Sequence, residues 1–113
     1  MTADGFRKLA LQLPETAEVG HMGHPDFRVG GKIFATLGYP DAGWGMVRLP
    51  RDVQTALVAA RPEVFTPVKG AWGKAGATQV ALRSARTEEV RDALRVAWLA
   101  RAPKALARAH GSR

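Results

Sequence analysis

The sequence predicts an α+β domain in two layers: one antiparallel sheet of about five strands, packed by N-terminal, middle and C-terminal helices. Three observations carry that expectation. The chain opens and closes on segments with helical apolar spacing, and its middle is made of short β-type runs separated by glycine and proline turns. Its 113 residues, 46% of them hydrophobic, suffice for one core and not for two. A single domain over residues 1–113 is therefore expected, with a frayed tail from about residue 110.

Thr2 is placed to cap a first helix in which Phe6, Leu9, Ala10 and Leu13 form one apolar stripe, ended by Pro14. Short β-type runs follow at 16–22, 26–29 and 32–39. Gly30-Gly31 between the last two allows positive φ at both turn positions. A two-residue turn there pairs Val29 with Lys32, Arg28 with Ile33 and Phe27 with Phe34, which puts both phenylalanines on one face. Pro40-Asp41-Ala42-Gly43 reads as a turn into a strand over 44–49. Pro50 suits the first position of a second helix with Val53, Ala56, Leu57 and Ala60 on its inner stripe. After Glu63 the chain reads as extended structure leading to a glycine-rich loop at 69–76. Residues 78–82 alternate, Thr78, Val80 and Leu82 facing one way and Gln79, Ala81 and Arg83 the other, so one sheet face is expected to stay polar. Thr87 is placed to cap the last long helix, which buries Val90, Ala93, Leu94, Ala97 and Trp98. Val96 and Leu99 widen that stripe, and Pro103 interrupts the helix.

Seventeen Lys and Arg against ten Asp and Glu give a net charge of +7, which favours polyanionic partners. Most of the excess lies in residues 83–113, where eight basic side chains face three acidic ones. The opposing reading is a solvated arginine face, partly neutralised by Glu88 with Arg91 and Asp92 with Arg95 at i, i+3 spacing. With no cysteine, disulfides, thiolate metal sites and cysteine nucleophiles are excluded. No apolar run approaches a membrane span, and the first thirteen residues do not read as a signal peptide, so a cytoplasmic location with no membrane partner is expected.

Chemistry is sparse. The three histidines offer only His21-x-x-His24, near Asp26, as a metal pair, and residues three apart on a strand point to opposite faces, so no metal is expected there. Ser84 and Ser112 sit in no nucleophile elbow. Gly30-Gly31-Lys32 and Gly73-Lys74 are followed by Ile33 and Ala75 rather than by the Ser or Thr of a phosphate-binding loop, so they read as turn glycines. Neither catalytic residues nor a cofactor is expected. What remains is a binding set: Lys69, Trp72 and Lys74 on one glycine-rich loop, with Arg28 and Lys32 beside the hairpin tip. Trp72 has two readings, a base-stacking contact or an anchor folded back over the sheet, and the anchor is the favoured one.

Leu13-Pro14-Glu15, His24-Pro25-x-Phe27-Arg28-Val29-x-Gly31-Lys32-Ile33-Phe34-Ala35, Trp72-Gly73 and Ala100-x-Ala102-Pro103-Lys104 occur in that order along nearly the whole chain. This pattern resembles the MmcQ/YjbR family of small bacterial proteins. The resemblance implies a compact α+β fold, related in shape to type III secretion chaperones, and two β-wings described as a double-wing DNA-binding domain. The expected function is thus non-enzymatic DNA binding, with Arg28, Lys32, Lys69 and Lys74 on phosphates, Trp72 stacking and the C-terminal basic helix as a secondary surface. The alternative is a module that binds a protein segment or small ligand on the sheet and the Trp72 loop, which an apolar pocket near Trp44 and Trp72 would favour. Oligomeric state is not readable from the sequence.

Overall fold

The Thr2 hydroxyl accepts the Gly5 amide at 3.0 Å, so the first helix, α1, runs Ala3–Leu11 from the expected cap and buries Phe6 and Ala10. The computed structural model describes residues 1–20 and 24–111. Six strands follow: β1 (Ala17–Val19), β2 (Asp26–Val29), β3 (Lys32–Leu37), β4 (Trp44–Arg48), β5 (Phe65–Pro67) and β6 (Ala77–Ala81). They form one antiparallel sheet in the order β1-β2-β3-β4-β6-β5. The sheet has six strands rather than about five because the segment after Glu63 pairs with β6 as an edge strand. The described residues form four further α-helices, α2 (Arg51–Ala60), the short α3 (Ala71–Lys74), α4 (Thr87–Arg101) and α5 (Lys104–Gly111), and a 3-10 turn at Leu82–Ser84. The α+β architecture expected from the sequence is the observed one.

The hairpin joining β2 and β3 turns at Gly30 and Gly31, both at positive φ (58° and 79°), which glycine adopts without a Cβ penalty. Val29 pairs with Lys32 and Arg28 with Ile33 as expected, but Phe27 pairs with Ala35, not Phe34. Phe34 is the extra residue of a β-bulge. Opposing two residues to one lets Phe34, Ala35 and Leu37 all reach the core while Ile33 and Thr36, three apart, share the opposite face. Both phenylalanines do lie on the buried side, by a bulge rather than by simple pairing. At the tip, a Cβ on Gly30 would sit 2.7 Å from Pro103, so the turn abuts the junction between α4 and α5.

The core lies between one sheet face and the helices. Val90, Ala93, Leu94, Ala97 and Trp98 of α4 are all buried, as the spacing predicted, against Phe27, Phe34, Val47 and Val80 of the sheet and Phe6 of α1. The Trp98 indole N–H is satisfied by the Pro14 carbonyl at 3.0 Å, and its ring meets His110 edge-on. Pro103 separates α4 from α5, which continues through Gly111; Ser112 and Arg113 lie outside the described residues. Arg95 donates to the His110 carbonyl at 2.8 Å and ties α5 to α4. Among the described residues the expected Glu88–Arg91 and Asp92–Arg95 pairs are not formed.

Two helix starts differ from expectation by one residue. Pro50 caps α2 from outside, and Thr87 is the first residue of α4 rather than its cap. The N-cap of α4 is Arg86, whose side chain has no acceptor to offer. Glu89 supplies the missing interaction, accepting the Arg86 amide at 2.9 Å and the Arg61 guanidinium at 2.6 Å. The Arg86 amide first, and Arg61 after it, hold the Glu89 carboxyl below its ordinary value of 4.5. A carboxyl depressed on folding stabilises above its unfolded value and loses that contribution as pH falls through the folded one. Glu89→Gln should lower stability by about 1–2 kcal/mol at pH 7. In urea unfolding the gap from the parent protein should narrow steadily below about pH 4.5.

Candidate nucleic-acid interface

Because α1 and α4 cover one side of the sheet, the other side is left to the alternate residues of each strand. Asp26, Thr36, Met46, Gln79 and Thr66 stand in register across β2, β3, β4, β6 and β5. The expected polar face is therefore mixed: Met46 and Asp26 of this row are buried, and the half-buried Ile33 stands among the polar side chains. Above it stands the loop around α3, which carries Trp72.

This loop is fixed from beneath. Gln54, the buried residue of α2, places its amide nitrogen 2.9 Å from the Gly73 carbonyl, 3.2 Å from the Ala77 carbonyl and 3.1 Å from the Thr78 hydroxyl. Two amide hydrogens serve three acceptors, so at least one bond is shared. The expected inner stripe of α2 included Ala56 and Ala60, yet Ala60 is exposed and Ala56 does not reach the core; α2 is turned so that Gln54 faces the sheet, with Val53 and Leu57 half-buried. Gly73 is needed for close approach, since a Cβ there would overlap the Val68 carbonyl oxygen. Gly73 therefore lies inside α3 rather than in the turn expected from the sequence, and it is close approach, not a turn conformation, that requires glycine there.

Trp72 is 62% exposed and Tyr39 65%, so Trp72 is not the core anchor favoured from the sequence. The four-residue helix α3, with Gly70 (φ 81°) at its N-cap, carries the indole out over the open sheet face. Trp72 and Tyr39 border a cleft of about 620 Å³ whose walls include His24, Asp26, Met46, Val68, Lys69 and Gln79. The pocket that would favour ligand binding is one near both Trp44 and Trp72; this cleft is bordered by Trp72 and not by Trp44. Trp72 also borders a second depression of about 290 Å³, formed by Arg28, Lys32, Ile33, Arg48 and Arg101. The two depressions share Ile33, Thr36, Met46 and Trp72, so they form one continuous surface with an aromatic half and a cationic half.

Four of the five predicted binding residues border this surface. Arg28 is engaged: its Nε and Nη2 donate to Asp26 at 2.8 and 3.2 Å, and the Asp26 hydrogen bond and charge raise its pKa. Lys32 is exposed at the start of β3, and Lys69 stands at the cleft mouth. Lys74 is not part of the group; it lies on the far side of α3, beside Arg51 and Thr55 of α2, where Arg51 donates to its carbonyl at 2.7 Å. Sequence reasoning missed Tyr39, Arg48 and Arg101. Arg48 was legible, since it stands at the same strand parity as Met46; Arg101 was not, because only the tertiary path of α4 brings its Nε to the Ile33 carbonyl at 3.2 Å. Burial first, then the neighbouring charge of Arg101, lowers the Arg48 pKa. His24 has its ring 6.3 Å from that of Tyr39, whereas His21 lies outside the described residues.

The family model for YjbR matches residues 11–100. The chain belongs to the YjbR family. A crystal structure of protein DR2400 from Deinococcus radiodurans, described by its DUF419 domain, superposes with a TM-score of 0.72 at 19% identity. That alignment covers 88% of this chain and 77% of the other, and it shows the shared fold. No curated protein matches the chain significantly. Within this YjbR fold no described helix is long and apolar enough to cross a membrane.

Because Gln54 holds the carbonyls beneath α3, Gln54→Ala should destabilise the protein by about 1–3 kcal/mol in urea unfolding. It should also free the Trp72 loop, read as faster amide hydrogen exchange over residues 70–76 than in the parent protein.

Proposed function

We propose that this protein is a binding module whose open sheet face takes single-stranded nucleic acid. The observation that supports the reading is the meeting of two solvent-exposed aromatic rings, Trp72 and Tyr39, with cations on one uncovered face. An exposed ring offers a base a stacking partner worth about 1–3 kcal/mol, and lysines on the rim supply phosphate contacts. A recessed aromatic cleft suits unpaired bases better than a duplex, whose bases are already stacked. Lys32, Lys69 and Trp72 are the contacts assigned here, with Arg28 held by Asp26 as a shaping residue more than a free cation. Lys74 is left out.

A small ligand in the same cleft is the second reading, favoured by the cleft volume of about 620 Å³, within the usual range for small-molecule sites. Fluorescence anisotropy of labelled single strands and duplexes at about 50 and 200 mM salt separates the two. Micromolar binding of the single strand, weaker for the duplex and falling with salt, is the expected result. Lys32→Ala should lessen the salt slope by about 0.7 for each phosphate it no longer neutralises, Trp72→Ala should weaken binding by about 5-fold or more, and Lys74→Ala should change neither. No strand binding at the lower salt overturns the nucleic-acid reading.

A further inference from the structure

The cationic half of the open face is more specific than a general phosphate-attracting rim. Arg48 and Arg101 line one depression of about 290 Å³ together with Lys32, and among the described residues none of the three makes an ion pair. Arg28, at the edge, is already matched by Asp26. Arg48 is half-buried, and Arg101 is held in place by the Ile33 carbonyl. Two guanidinium groups brought together without a carboxylate repel each other, and an anion between them removes that cost. Trp72 borders this depression on one side and the aromatic cleft on the other.

We propose that Arg48 and Arg101, assisted by Lys32, form a subsite for a phosphate monoester, with the attached base lying against Trp72. A terminal phosphate carries about −1.5 to −2 at pH 7, whereas an internal phosphodiester carries a single negative charge, so the monoester matches two unpaired guanidinium groups more closely. The ligand unit is then a nucleoside monophosphate, present either as a free nucleotide or as the phosphorylated end of a strand. This inference rests on the nucleic-acid reading and narrows it to terminal phosphate.

The test compares a labelled oligonucleotide bearing a 5′-phosphate, the same strand with a 5′-hydroxyl, and a 3′-phosphorylated strand. Adenosine monophosphate and adenosine, followed by quenching of tryptophan emission, form a second arm. The phosphorylated strand of one polarity should bind about 10-fold tighter than its hydroxyl counterpart, and the nucleotide tighter than the nucleoside. Arg48→Gln and Arg101→Gln should each reduce that ratio towards 1, while Arg48→Lys should retain part of it; thermal unfolding checks that each variant is folded. A nucleotide bound without any strand assigns the site to free nucleotides and overturns the strand-end form of the proposal. Equal binding of phosphorylated and hydroxyl strands overturns the subsite and leaves the nucleic-acid reading standing. Absence of binding by every strand and by the nucleotide overturns both.

Discussion

The packing of α4 against one side of the sheet is the constraint from which the rest of the molecule follows. Its five buried residues, ending in Trp98, meet the inward side chains of β2, β3, β4 and β6, and α1 fills the remaining space with Phe6 and Ala10. Fixing α4 in this way sets where it ends, so Arg101 reaches the Ile33 carbonyl and Pro103 meets the hairpin turn. The same burial leaves the reverse side of the sheet uncovered by α1 and α4, and there the candidate binding surface develops. Core and surface are thus two sides of a single sheet.

The bulge at Phe34 shows how finely the two sides are coupled. Without the extra residue, strict alternation along β3 would turn either Phe34 or Ala35 away from the core. With it, three of the strand's last four residues face inward while Ile33 and Thr36 are delivered together to the opposite side. Thr36 then stands beside Met46 in the row that floors the aromatic cleft.

What was legible in the sequence was local. The α4 stripe, the Thr2 cap, the Gly30-Gly31 turn and the break at Pro103 each depend on residues a few positions apart, and each matches the structure. Two of the misread features depend on partners in other elements of secondary structure. The bulge is set by pairing across strands, and the rotation of α2 is set by carbonyls at Gly73 and Ala77, about twenty residues beyond Gln54. Tryptophan usually buries much of its ring, which favours an anchor at Trp72; the Gly70 turn instead sends it outward. Charge was a weaker guide still. Eight basic residues crowd the stretch from 83 to 113, yet among the described ones Arg101 alone lines the cationic depression, and Arg95 is occupied in holding α5.

The contact between Gly30 and Pro103 bears on how the surface would engage a partner. A hairpin tip that swings freely must be ordered when it binds, and that ordering subtracts from affinity. Here the turn lies against the junction of two helices, and any side chain at Gly30 would push it away. Lys32, two residues on, therefore emerges from a braced segment of backbone. The backbone entropy of placing this hairpin has been given up during folding, so more of the adaptation on binding falls to the partner: a flexible strand that bends to the protein meets a backbone already set.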